Sequence, residues 1–396
     1  MANILILGAG SMGTAFSIPC SDKNHIITIV GTHLEDDFID RINLSKKHPV
    51  LGCDIPKNVS FKKYSKFKDI MNKEVDLITI AVSSKGIEWA SLALSKVLQK
   101  SIPILILTKG LSLNNNNYEV LAHKMQRLLK ENGVKEISIS GAGGPCLAKG
   151  LANRAHTSVI FANPDIKVVT EIANLVTTEY YHISTSTDVV GVETCAAIKN
   201  IFSMVIGASE GLCIQKASKL VSKNNFLNTA AALLQQSIHE MIIFTEKVKG
   251  KKETVIGPAG IGDLYVSADG GRNSKMGYYL GQGMSFIDAK KNEMKNDTVE
   301  GADLIMEIGS KVKNDYNSKE LPLMISMIDA IHDSKPLTVE WKNFKLKNWN
   351  KNWEKNYLSI FQKKWFVVIV GFSKSNLINF NLLFSYNNIF LSFVVK

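Results

Sequence analysis

Residues 3–13 read Asn3-Ile4-Leu5-Ile6-Leu7-Gly8-Ala9-Gly10-Ser11-Met12-Gly13, and Thr14-Ala15-Phe16-Ser17 follow. The branched apolar run is a strand, the glycines are a turn, and the continuation is a helix. Each glycine has its own task in a dinucleotide-binding turn. Gly8 makes the sharp exit from the strand. Gly10 has no Cβ, so a pyrophosphate can approach the backbone. Gly13 lets the helix lie close to the strand. The first helical N–H groups, around Ser11, Met12 and Gly13, then face the phosphates with the positive end of the helix dipole.

Working outward, strands and helices alternate. Ile26–Val30 is a second strand. Val75–Val82, Pro103–Leu107 and Glu136–Ser140 are near-continuous apolar runs, as expected for strands buried on both faces of a parallel sheet. Tyr118–Asn132 reads as a helix between them. Thr157–Ala162 and Tyr180–Ser184 read as further strands. This alternation predicts an α/β, doubly wound parallel sheet of the dinucleotide-binding type. From about Thr187 the pattern becomes helical, at roughly 189–213, 225–248, 262–268, 274–283, 300–315 and 321–333. The expected organisation is a dinucleotide-binding domain at 1–186, an all-helical substrate domain at 187–341, and a tail at 342–396. Ligand then belongs in the cleft at the carboxyl ends of the strands.

The tail differs in kind. Of the net charge of +11, +8 falls in residues 342–396, which carry nine lysines against one acid, Glu354. The body is nearly neutral, which argues against nucleic acid as a partner. The tail is rich in Asn, Lys and Phe and has no clear period, so it is expected to be unstructured or poorly ordered. Its origin reads three ways: a disordered extension, a membrane-surface appendage, or translated sequence never selected for folding. A strand that starts at residue 3 leaves no room for a targeting peptide. No run is expected to reach the roughly 18 apolar residues that cross a bilayer. The five cysteines, Cys20, Cys53, Cys146, Cys195 and Cys213, form no CxxC pair. No metal site is expected, and a reducing cytoplasm fits them. A homodimer is the expected assembly, although no residue pattern fixes it.

At the end of the second strand, where NAD enzymes often place an acid for the ribose hydroxyls, the chain reads Gly31-Thr32-His33, and the first acid is Glu35. Thr32 and His33 could donate to a 2′-phosphate. With no acid at the strand end, NAD and NADP are both expected to serve.

The chemistry-bearing residues follow. Gly191–Gly211 is apolar nearly all round, yet holds Lys199-Asn200 at its middle. At helical spacing Lys199 shares a face with Val192, Cys195, Phe202 and Ile206. A lysine there needs a partner or a lowered pKa, which is how a general acid is made. The partner expected is Asp263, in Pro258–Lys275. Gly270-Gly271-Arg272-Asn273 reads as a turn presenting Arg272 and Asn273 outward to a phosphate or carboxylate. Lys109 follows a parallel strand at its carboxyl end.

Taken together, GAGSMGTA, AVSS, TKG, GAGGPC, GVETCAAIKNIF and GIGDLYVSADGGRN, in this order, resemble NAD(P)-dependent glycerol-3-phosphate dehydrogenase from residue 1 to about Pro336. The resemblance implies interconversion of dihydroxyacetone phosphate and sn-glycerol 3-phosphate, feeding glycerophospholipid synthesis. It implies Lys199, Asp263 and Lys109 as catalytic residues, and Lys109, Asn200, Arg272 and Asn273 as substrate contacts. It also implies Gly8, Gly10, Ser11, Met12, Gly13, His33, Lys109, Arg272 and Glu300 as cofactor contacts. Met12 stands where many members carry an aromatic residue. Two other readings compete: another two-domain NAD(P)-dependent hydroxyacid or 3-hydroxyacyl dehydrogenase, and a nucleotide sensor without turnover.

Overall fold

β1 (Asn3–Leu7) lies between two parallel neighbours, β2 (Ile26–Val30) and β4 (Leu77–Ile80). β3 (Val59–Lys62) extends the sheet beyond β2, and β5 (Ile104–Ile106) extends it beyond β4. The chain therefore winds outward from β1 to one side and then resumes on the other. This reversal opens a crevice at the carboxyl ends of β1 and β4, where such sheets take ligands. A computed structural model describes residues 1–216 and 226–344, with side chains of residues 1–214 and 226–344. The expectation of an unstructured tail falls, from residue 345 on, outside the described residues.

After β5 come a hairpin, β6 (Leu111–Asn114) with β7 (Asn117–Val120), then β8 (Ile139–Gly143), β9 (Thr157–Ala162) and β10 (Tyr181–Ser186). The main sheet runs β10-β9-β8-β5-β4-β1-β2-β3. Alternate β1 residues feed two separate cores: Leu5 and Leu7 pack with Ile78 and Ile80 on one face, while Ile4 and Ile6 pack with Ile27 and Ile29 on the other. Both faces are covered, as the near-continuous apolar strands predict.

Two details differ from the sequence expectation. β9 runs antiparallel to β8, pairing Gly141 with Ala162 and Gly143 with Ile160. The link between them contains only a short helix, Ala148–Ala152, and turns the chain back instead of carrying it across the sheet. The start of the expected helix at Tyr118 is instead β7; the helix begins at Leu121. Asn115 and Asn116, at φ of 48° and 60°, form the hairpin turn, a left-handed conformation that asparagine tolerates well.

The helical part is built on one long helix, Val189–Lys216. By length and composition its Val189–Ile214 stretch could cross a membrane, contrary to the sequence expectation, but 94% of its most apolar window is buried inside the protein. It is the central helix of the C-terminal part. Against it lie Leu227–Lys247, Arg272–Gly281, Glu300–Asp315 and Pro322–Ile331. Arg272–Gly281 packs on it through glycines from both helices. A Cβ on Gly277 would fall 1.9 Å from Met204 O, and one on Gly207 would fall 2.2 Å from Ser274 O. No other residue fits either position without moving a backbone. The folded body runs slightly past the expected boundary at 341: Phe344 is buried and its ring lies 5.0 Å from that of Trp341.

Candidate active site

The glycine turn has the geometry its sequence predicts. Gly8 sits at φ +112°, and a Cβ there would lie 2.7 Å from Ala81 O at the end of β4. A Cβ on Gly13 would lie 2.4 Å from Gly8 O, so the helix and strand touch through this glycine. A Cβ on Gly10 would meet nothing within 4 Å. The space above Gly10 is open where a pyrophosphate has to approach, and the Ser11–Asp22 helix starts beneath it. Ser11 and Met12 are partly exposed at its first turn. These residues fit a dinucleotide.

The end of β2 corrects the sequence reading. A carboxylate does stand there: Glu35 folds back so that its Oε2 accepts the Thr32 N–H at 2.7 Å and the Ala9 N–H at 3.3 Å. His33 is exposed, and its ring leans on Trp89 at 5.4 Å.

Opposite the turn, Lys199 reaches out of the long helix to Asp263. Its Nζ donates to Asp263 Oδ1 at 2.8 Å, with Lys199 7% and Asp263 2% exposed. Asp263 opens the Asp263–Ala268 helix, where a carboxylate also suits the dipole. Lys109, just past β5, donates to the other oxygen, Oδ2, at 2.6 Å. One carboxylate therefore holds two ammonium groups. Burial, and then the neighbouring Lys109 cation, push the Lys199 ammonium down to about 8, against the pull of Asp263. Lys199 also donates to Ser267 Oγ, which sequence reading missed. The signal was available: Asp263 and Ser267 are four residues apart on one helix and so share a face.

The GGRN segment departs from expectation in part. Arg272 and Asn273 are not in a turn but are the first two residues of a helix. Arg272 is 54% exposed and ion-paired with Glu300. Asn273 points inward and is buried. Its Nδ2 donates to Asn200 Oδ1 at 3.2 Å and Glu300 Oε2 at 3.4 Å, and its Oδ1 accepts the Gly301 N–H at 2.9 Å. Asn273 thus ties three helices together at the site. Lys199, Asp263 and Lys109 form one cluster, and Asn200, Arg272, Asn273 and Glu300 form a second. Adjacent Lys199 and Asn200 join the two.

A glycine turn over a doubly wound sheet, facing a buried lysine–carboxylate pair on a helical domain, defines a dinucleotide-dependent dehydrogenase of two parts. Residues 3–169 match the NAD-dependent glycerol-3-phosphate dehydrogenase N-terminus, and residues 188–340 match the C-terminus of the same family. The chain belongs to the NAD-dependent glycerol-3-phosphate dehydrogenase family. It is 29% identical over 320 residues to the NADP(+)-dependent glycerol-3-phosphate dehydrogenase of Archaeoglobus fulgidus, covering 79% of this chain and 91% of that one. Its fold is similar to the glycerol-3-phosphate dehydrogenase structure from Coxiella burnetii, with a TM-score of 0.70, 22% identity, and 85% and 96% of the two chains covered. The Plasmodium falciparum structure gives a TM-score of 0.75 at 18% identity, with 88% and 97% covered.

Proposed function

We propose that the chain interconverts dihydroxyacetone phosphate and sn-glycerol 3-phosphate, with Lys199 exchanging the proton at the C2 oxygen. The observation that carries this is the buried Lys199–Asp263 pair at 2.8 Å, on the long helix at the centre of the C-terminal part. A lysine lowered to about 8 can hold or release a proton near neutral pH. Asp263 keeps its ammonium aimed, and Lys109, on the same carboxylate, is a second cation for the developing alkoxide. Arg272 and Asn273 grip the substrate phosphate, with Asn200 beside them. The phosphate displaces the Glu300 carboxylate from Arg272, since both compete for one guanidinium. Glu300 is then released toward the cofactor.

The glycine turn with Ser11 and Met12 holds the dinucleotide, which supplies or accepts the hydride at C2. Holding the phosphate on one helix and the proton donor on another fixes C2 between them. Glycerophospholipid synthesis as the destination, the cytoplasm as the compartment and a homodimer as the assembly belong to the same proposal. The test is oxidation of NADH and of NADPH in the presence of dihydroxyacetone phosphate. Turnover of a 3-hydroxyacyl or branched hydroxyacid substrate instead would overturn it.

A further inference from the structure

We infer that Glu35 selects the cofactor at its adenosine ribose, accepting a free 2′-hydroxyl and rejecting a 2′-phosphate, so that the enzyme prefers NADH to NADPH. The inference rests on the dinucleotide reading of the glycine turn. An acid that serves this purpose usually ends the second strand. Here the strand ends in Val30-Gly31-Thr32, and the acid comes later. The backbone supplies the missing reach. The Glu35 N–H bonds Thr32 O at 3.1 Å, closing a tight turn that brings the side chain back over the strand end. Gly31 makes room for it: a Cβ there would sit 3.2 Å from Glu35 Cβ and 3.0 Å from Ile39 Cγ1.

The carboxylate is then pinned from two sides. Thr32 N–H holds it to the end of β2, and Ala9 N–H holds it to the glycine turn itself. Both bonds go to Oε2, leaving Oε1 to accept from a ribose hydroxyl. Ala9 lies between Gly8 and Gly10, so the carboxylate stands beside the place where the pyrophosphate is read.

The surroundings disfavour a second phosphate. Asp36 and Asp37 follow directly in the first turn of the next helix. Of the two lysines at the end of β3, Lys63 is paired with Asp40 at 2.6 Å, and Lys62 is exposed, its carbonyl accepting the Gly31 N–H. His33 leans on Trp89. A 2′-phosphate would meet the Glu35 carboxylate first, with Asp36 and Asp37 behind it. The Archaeoglobus relative is named for NADP(+); this chain should differ from it.

The test uses binding to the unliganded full chain, followed by nucleotide fluorescence, and so does not depend on turnover. The expected result is a Kd at least tenfold lower for NADH than for NADPH. Glu35→Gln, which keeps an oxygen for the two N–H groups but turns an amide N–H₂ toward the ribose, should weaken NADH and tighten NADPH, so that the preference for NADH falls at least tenfold. A wild-type measurement guards against a poorly folded variant: 5′-AMP should displace NADH at lower concentration than adenosine 2′,5′-bisphosphate. Equal Kd values for the two cofactors, an unchanged ratio in Glu35→Gln, or better competition by the bisphosphate would each overturn the assignment of Glu35. Failure of both dinucleotides to bind would overturn this inference and the dehydrogenase reading beneath it together.

Discussion

Lys199 and Asp263 form a direct ion pair, Nζ to Oδ1 at 2.8 Å, with neither residue more than 7% exposed. Such a pair is maintained only if both members stay in place, because a lone buried charge is costly. Here the second lysine changes that balance: with Lys199 removed, Asp263 keeps Lys109 at 2.6 Å.

Lys199→Met should therefore fold. It should lower kcat by roughly 10²–10⁴, the range for a lost general acid, while NADH still binds. Asp263→Asn should resemble it more closely than it resembles a phosphate-site variant. Steady-state kinetics decide this, and turnover within tenfold of the parent would transfer the proton-donor role to Lys109.

The pH dependence has a defined sign. Lys199 has to be protonated to serve the reduction, and its ammonium is lowered to about 8 by burial and by Lys109. The kcat/KM for dihydroxyacetone phosphate reduction should fall as pH rises through about 8, and that for the oxidation should rise there. Lys109→Gln removes one of the depressing causes, so its limb should move to higher pH. A limb that stays in place would show that Lys109 does not act on Lys199.

Arg272 is expected to act by grip. It meets the phosphate in ground and transition states alike, so Arg272→Ala should raise KM strongly, with a smaller loss in kcat from poorer orientation. Glu300→Gln removes its internal competitor and should lower the inhibition constant of inorganic phosphate. Unchanged phosphate inhibition in Glu300→Gln would mean that the Arg272–Glu300 pair is not what the substrate displaces.

These residues were readable in the sequence because each carries a local mark. Lys199 stands out by its apolar neighbours at helical spacing, and Gly8, Gly10 and Gly13 stand out by their place after a strand. Glu35 has no such mark. Its role depends on a turn that folds Thr32–Glu35 back to Ala9, a contact that no period encodes. The antiparallel β9 is equally silent, since its sequence fits either direction. The hairpin was legible in principle: Asn115-Asn116 between Leu111–Asn114 and Asn117–Val120 is a turn signal, but the helix that follows dominated the reading. The inward aim of Asn273 comes from its place as the second residue of a helix, which the glycines before it disguise as a turn.

A buried acid away from the chemistry gives a stability test. Glu193 Oε2 accepts the Ala122 N–H at 2.9 Å, Oε1 has no partner among the described residues, and burial pushes its carboxyl from 4.5 to about 8. Between those pH values the folded chain keeps a proton that the unfolded chain has released. Stability should then decrease as pH rises through that window and level off above about 8. Glu193→Gln copies the protonated form at every pH. It should melt within a degree or two of the parent near pH 5, an order-of-magnitude expectation, and clearly above it near pH 9. Parallel melting curves at both pH values would refute this account.

The C-terminal boundary is also testable. A chain ending at Phe344 retains the Trp341–Phe344 contact and the whole described body. It should melt cooperatively and turn over like the full chain. A chain ending at Leu337 loses that contact and should melt lower. Loss of cooperative melting in the longer truncation would show that residues beyond 344 are needed.

The glycine seam between Val189–Lys216 and Arg272–Gly281 has a consequence for substrate choice. Met204 O and Ser274 O lie where a Cβ on Gly277 and Gly207 would fall, so the two helices meet backbone to backbone with no side chain between them. Lys199 rides on one helix and Arg272 begins the other. That close seam ties the proton donor and the phosphate grip to one shared frame, like the two jaws of a caliper. A phosphorylated ketone with one carbon more between phosphate and carbonyl should then turn over more slowly than dihydroxyacetone phosphate, and the ratio of the two kcat/KM values checks this.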